Sequence, residues 1–169
     1  MNSKYKLKNY PDPSSYPVLP PDMDYRYFQN FSDFPMEREG KNFSIINSWW
    51  MAESSLLVYA HPGFVRMAYE LAGYKDFKFF QGTGTECMVV WNSNRVIVSF
   101  RGTELNTLST LYEVATDLDV GPIEFELGGK VHKGFLNALD EIWYGINGLK
   151  AFIDKLYLEN RDRDIILNG

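Results

Sequence analysis

The sequence predicts an α/β fold, a mostly parallel sheet flanked by helices. Three observations predict it. Val96-Ile97-Val98-Ser99-Phe100 is apolar nearly throughout, as a strand covered on both faces must be. From about His132 to Tyr157, the residues Phe135, Leu139, Ile142, Ile146, Leu149, Ile153 and Leu156 form one apolar stripe at helical spacing, so this stretch reads as an amphipathic helix lying on a sheet. A second apolar run, Ile165-Ile166-Leu167, follows the polar turn Arg161-Asp162-Arg163-Asp164. Strand, helix, strand is a βαβ unit, for which a right-handed crossover is the expectation. With 169 residues, 45% hydrophobic and 16% aromatic, the chain has the composition of a folded domain.

The elements are expected in the following order. Six of the eight prolines fall in the first 35 residues among many tyrosines and phenylalanines, a density that excludes a helix or a central strand. Residues 1–40 therefore read as an extended arm, and residues 41–169 as the domain that it clads. A helix is expected from Phe43, carrying Ile46, Trp49, Trp50, Leu56, Leu57 and Ala60, with Asn42 available as its N-cap. His61-Pro62-Gly63 ends it, and a shorter helix carries Phe64, Met67, Ala68 and Leu71 up to a stop at Gly73. Cys87–Trp91 and Arg95–Phe100 are strands joined by the Asn92-Ser93-Asn94 turn. Residues 105–120 mix helix formers and caps. Ile123 to Leu127 alternates like a partly exposed strand closed by Gly128-Gly129. Gly145 and Gly148, inside the long helix, each cost about 1 kcal/mol in propensity and point to close packing.

Several chemistries find no support. A net charge of -5 without a Lys/Arg cluster argues against a nucleic-acid partner. The single cysteine, Cys87, sits in an apolar run and reads as a buried structural thiol, not a metal ligand or half of a disulfide. Gly82-Thr83-Gly84-Thr85 lacks the further glycines and the lysine of a phosphate loop. The basic start is followed by no apolar stretch and no run approaches membrane-spanning length, so no transmembrane segment and a cytoplasmic location are expected. Of the two histidines, His61 precedes a proline at a helix end and reads as a cap or a solvent-facing group. His132 opens the long helix and reads as a hydrogen-bonding partner of nearby loops. No serine stands in a Gly-x-Ser-x-Gly context, and nothing in the spacing supports a triad of Ser109, His132 and Asp140.

The sharpest constellation is Phe100-Arg101-Gly102-Thr103-Glu104, directly after the central strand. A glycine at a strand exit lets the backbone turn, and Thr103 then offers an N–H and a hydroxyl, the donors that an oxyanion hole needs. The same residues also suit a plain strand-end turn with a threonine cap.

The ordered set Val98-Ser99-Phe100-Arg101-Gly102-Thr103, Asp117-Leu118, Val131-His132-Lys133-Gly134-Phe135 and Ile165-Ile166-Leu167-Asn168-Gly169 resembles the amino-terminal half of a class 3 lipase, the fungal-lipase type of α/β-hydrolase. The helix Ala52 to Tyr59 is similar to the one preceding that core, so the resemblance covers about residues 45–169. It implies a serine ester hydrolase of lipid metabolism, acting on acylglycerols or other carboxylic esters with no cofactor and no metal. Thr103 would supply one oxyanion-hole donor, while Arg101, Gly102, Asp117 and His132 would support the site.

In this family the nucleophilic serine lies in a Gly-His-Ser-Leu-Gly segment, followed later by the Asp and His of the triad. Here only the opening Gly169 is present, with Asn168 where the family commonly has Thr. The resemblance thus implies a partial α/β-hydrolase fold that stops at the strand before the nucleophile elbow, a fragment inactive by itself that takes an ester or lipid substrate only once completed. Its last strand is expected to leave an apolar face bare, and hence to give poor solubility. The alternative is a non-catalytic lipid- or protein-binding module on a lipase scaffold.

Overall fold

The computed structural model describes residues 25–38, 43–83, 85–102 and 121–169. A four-stranded sheet divides them into layers. The sheet comprises β1 (Asp76–Gln81), β2 (Glu86–Trp91), β3 (Arg95–Arg101) and β6 (Asp164–Asn168), in the order β1-β2-β3-β6. The helices α1 (Ile45–Leu57) and α2 (Pro62–Leu71) cover one face; α3 (Lys133–Trp143) and α4 (Leu149–Glu159) cover the other. A separate hairpin pairs β4 (Pro122–Glu124) with β5 (Lys130–His132).

The two-residue period of a strand sorts the core. Met88, Val90 and Ile97 face α1 and α2, whereas Cys87, Val89, Val96 and Val98 face α3 and α4. All seven are fully buried, so the continuous apolar run of β3 does mark a strand covered on both faces. Burial also pushes the Cys87 thiol up to about 12, leaving it a neutral core group at physiological pH.

The sheet is mixed rather than mostly parallel. Among the described residues only β3 and β6 run parallel, with Val96 opposite Ile165 and Val98 opposite Leu167; β1–β2 and β2–β3 are antiparallel. Connection length decides this, because a tight turn can only join antiparallel neighbours. At Asn92-Ser93-Asn94 the Asn92 carboxamide accepts from the N–H groups of Asn94 and Arg95, both at 2.9 Å. The glycine-rich stretch after Gln81 is likewise a hairpin connection, closed by Gly82 N–H to the Thr85 carbonyl at 2.8 Å. The strand before it, β1, was not anticipated. Its Phe77 and Phe79 turn toward α1 and α2, Phe80 toward α4, and the Lys78 ammonium lies 4.4 Å from the centre of the Phe152 ring.

Two helix boundaries differ from expectation. Ser44, not Asn42, caps α1, its hydroxyl accepting from Asn47 N–H at 3.1 Å. The long stripe from His132 to Tyr157 is two helices. Gly145 adopts φ +94, a left-handed value that stops α3, and Gly148 stands as the N-cap of α4. Ile146, within the break, is 95% exposed and Phe135, in the first turn of α3, is 70% exposed, so neither belongs to the core. Gly73 behaves as anticipated, ending α2 at φ +87 while Tyr74 N–H reaches back to the Tyr69 carbonyl.

Residues 25–34 lie on α1 and α2 largely as successive turns, and residues 35–38 continue without regular structure. Left-handed φ values at Phe28 and Asn30 fold this strap inward, so that Phe28 is 1% exposed and its ring lies 4.7 Å from Trp50 and 4.8 Å from Tyr69. Glu53 on α1 fastens it. The buried carboxylate accepts from the Tyr25 hydroxyl at 2.6 Å, from Trp49 Nε1 at 3.0 Å and from Phe28 N–H at 3.3 Å.

Candidate functional site at the carboxyl end of the parallel pair

In open α/β sheets, ligands bind beyond the carboxyl ends of parallel strands. Here those ends belong to β3 and β6, which the register Ser99 to Asn168 aligns. The chain leaves β3 through Arg101 and Gly102 and reaches Gly169 just past β6. At Gly169 a Cβ would stand 3.0 Å from the Phe100 carbonyl oxygen, so the two exits lie against one another.

The end of α1 roofs this junction. Ser55 donates its hydroxyl to the Asn168 side-chain oxygen at 3.2 Å, and the Asn168 amide points at Met51 Sδ at 3.1 Å. Tyr59, just beyond α1, reaches further. Its hydroxyl lies where a Cβ on Gly102 would come within 2.6 Å, and the Arg101 guanidinium stands 5.5 Å from its ring centre. Arg101 also forms an ion pair across the β2–β3 ladder with Glu86, its register partner.

Gly102 thus serves a close approach rather than a left-handed turn, since its φ is not positive. Arg101 and Gly102 both lie at the exit of β3, beside Tyr59. Thr103 and Asp117 lie outside the described residues. His132 lies at the boundary of β5 and α3, where it makes no side-chain capping bond. Its Nδ1 is buried with no hydrogen-bond partner among the described residues, and its ring packs on Phe135 at 4.9 Å. His61 caps α2 by accepting from Gly63 N–H at 3.1 Å, ahead of Pro62 at the first helical position.

Tyr59 and Ser55 were not foreseen as site residues. The signal for Tyr59 was its place at the end of an amphipathic helix, immediately before the His61-Pro62 break. At the junction the Ser55 hydroxyl proton is committed to Asn168 and the Asn168 amide to Met51, while the Tyr59 hydroxyl stands over Gly102. Ser55 itself hydrogen-bonds an amide, not a base, so nothing there activates it as a nucleophile. No cluster of potential metal ligands occurs among the described residues.

No family model matches the chain, and no curated protein does. Among solved structures it is similar to the triacylglyceride lipase of Rhizomucor miehei, at 23% identity and a TM-score of 0.39 over 54% of this chain and 35% of that one. It is also similar to a fungal lipase solved with an inhibitor, at 22% identity and a TM-score of 0.40 over 55% of this chain and 36% of that one. Both are lipases. The chain spans about a third of the length of these two lipases, as the 35% and 36% coverages state. No helix among the described residues is long and apolar enough to cross a membrane.

Proposed function

We propose that these residues form the amino-terminal part of a class 3 lipase-type serine ester hydrolase, with the β3–β6 junction as the place where an ester carbonyl is received. One observation carries the reading: Gly169, at the exit of β6, lies against Phe100 of the parallel strand β3, whose own exit at Gly102 stands under the Tyr59 hydroxyl. Acyl transfer needs oxyanion donors next to the nucleophile's turn, and neighbouring strand exits supply that proximity. In this reading Thr103 contributes an oxyanion donor, Arg101 and Gly102 hold its loop against Tyr59, and Asp117 and His132 support the surrounding framework.

No Gly-x-Ser-x-Gly occurs in the 169 residues, so the chain by itself brings the receiving half of the chemistry without the attacking half. Loss of the nucleophile from a triad enzyme costs about 10⁶ in turnover even when the rest of the site is intact. Two measurements test the reading. Purified chain should neither hydrolyse a p-nitrophenyl ester nor take up a serine-directed phosphonate; a stoichiometric adduct on one of its own serines would overturn it. The genomic reading frames beyond the Gly169 codon should encode His-Ser-Leu-Gly, then a later Asp and His; frames without them favour the binding-module reading instead.

A further inference from the structure

Away from that junction, the strap and α2 enclose an open groove of about 440 Å³. Its floor is the buried Phe28 and Ala68. One wall is α2, where Met67 and Leu71, one helical turn apart, are 49% and 72% exposed and line the groove as an apolar strip. The strap crosses α2 at both ends. The Tyr27 and Phe64 rings meet edge-on at 5.9 Å, and Phe31 lies near Gly73, 3.7 Å from where a Cβ would be. Between Phe64 and Leu71 the helix advances about 10 Å, which sets the length of the trough. Glu53 holds its far side still by fixing Tyr25 and the Phe28 backbone.

The charge on the walls selects the ligand. Among the described residues lining the groove, Arg26 is the one ionic side chain, and the remaining polar ones, Tyr25, Tyr27, Gln29 and Asn30, are neutral. An apolar trough with a lone cation and no carboxylate suits an amphiphile that has a slender apolar body and an anionic head. We propose that this groove binds a long-chain carboxylate of the fatty-acid type, its alkyl chain along Met67 and Leu71 and its head at Arg26. The proposal stands apart from ester hydrolysis, since it uses none of the residues at the β3–β6 junction.

Sodium laurate, titrated below its micelle-forming concentration and followed by calorimetry and by tryptophan fluorescence, provides the test. One laurate should bind saturably per chain. Arg26→Glu should weaken laurate about fivefold and leave dodecanol unaffected. Leu71→Glu should weaken dodecanol about fivefold by removing apolar contact, and laurate by at least as much because it also adds a like charge to the wall. Both positions are exposed, so the fold tolerates the changes, and unaltered circular dichroism verifies it. Absence of saturable binding, laurate affinity unchanged in both variants, or dodecanol binding as tightly as laurate would each overturn the proposal. So would a wild-type dimer that Leu71→Glu dissociates, because the groove would then belong to a second copy of the chain. Every readout is binding or association, so failure here leaves the hydrolase reading untouched.

Discussion

The Tyr59 hydroxyl occupies the space that a side chain on Gly102 would need: a Cβ built there falls 2.6 Å from that oxygen and 3.9 Å from the ring carbon bearing it. The two residues are therefore coupled although they belong to different layers of the fold. Gly102→Ala should displace the tyrosine tip, which is the end of a flexible side chain, and cost less than about 1 kcal/mol. In a Tyr59→Phe background the same substitution should cost less, giving a coupling of about 0.5 kcal/mol in a urea-denaturation cycle. Strict additivity would show that Tyr59 does not rest on Gly102 in solution.

Glu53 presents a different balance. Burial raises its pKa above the ordinary glutamate value, and the hydrogen bonds from Tyr25, Phe28 and Trp49 offset that only in part. The folded state accordingly binds a proton at Glu53 more tightly than the unfolded chain does. Its contribution to stability is fully present below the ordinary glutamate pKa and is lost as pH rises through the higher folded value. Relative to Glu53→Gln, which does not titrate, the wild type should gain stability when the pH is lowered from 7 to about 4.3. Glu53→Ala strands three donors and should cost about 2–3 kcal/mol at neutral pH. A wild-type to Glu53→Gln difference that stays flat across this range would contradict the assignment.

The break between α3 and α4 changes the sign expected for two glycine substitutions. In one continuous helix, replacing Gly145 or Gly148 with alanine would stabilise the protein by about 1 kcal/mol. In the observed break, a Cβ on Gly148 would fall 2.4 Å from the Tyr144 carbonyl oxygen and 2.6 Å from that of Trp143, both rigid backbone atoms. Gly148→Ala should therefore destabilise by about 1–3 kcal/mol. Gly145, at φ +94 in open space, should lose about 1–2 kcal/mol with alanine and recover most of it with asparagine, which tolerates left-handed backbone. Thermal melts of the four single variants separate the two causes, because asparagine does not rescue position 148.

What the sequence disclosed, and what it concealed, follows from these particulars. β2, β3 and β6 were legible because Cys87 to Trp91, Val96 to Phe100 and Ile165 to Leu167 are near-continuous apolar runs, and the Asn92 turn has its own local hydrogen bonds. The split of the long helix was not, because Ile142 and Leu149 keep a helical spacing across a break that only the backbone angle at Gly145 reveals. β1 escaped notice because Lys78 interrupts its aromatic run and serves as a cover for Phe152, a role visible only in three dimensions. At the candidate site, Arg101 and Gly102 announced themselves by following a buried strand. Tyr59 and Glu53 did not, since one lies past the end of a helix and the other is an acid in mid-helix that ordinarily faces water.

The face of β6 toward α4 offers the last prediction. Ile165 and Leu167 share that face with their β3 partners Val96 and Val98, yet they are 39% and 65% exposed where those valines are fully buried. No strand pairs with the outer edge of β6 among the described residues, and within the strand only Asp164, near Arg95 at 3.6 Å, carries a charge. An apolar edge lacking lysine or proline favours self-association. Leu167→Lys should reduce light scattering of concentrated solutions while changing the unfolding free energy by no more than about 0.5 kcal/mol, because so exposed a side chain contributes little to the core. Val98→Ala, at a fully buried position, should cost about 2 kcal/mol or more without relieving association. If Leu167→Lys instead unfolds the protein, that leucine is covered in solution, and the bare face does not exist.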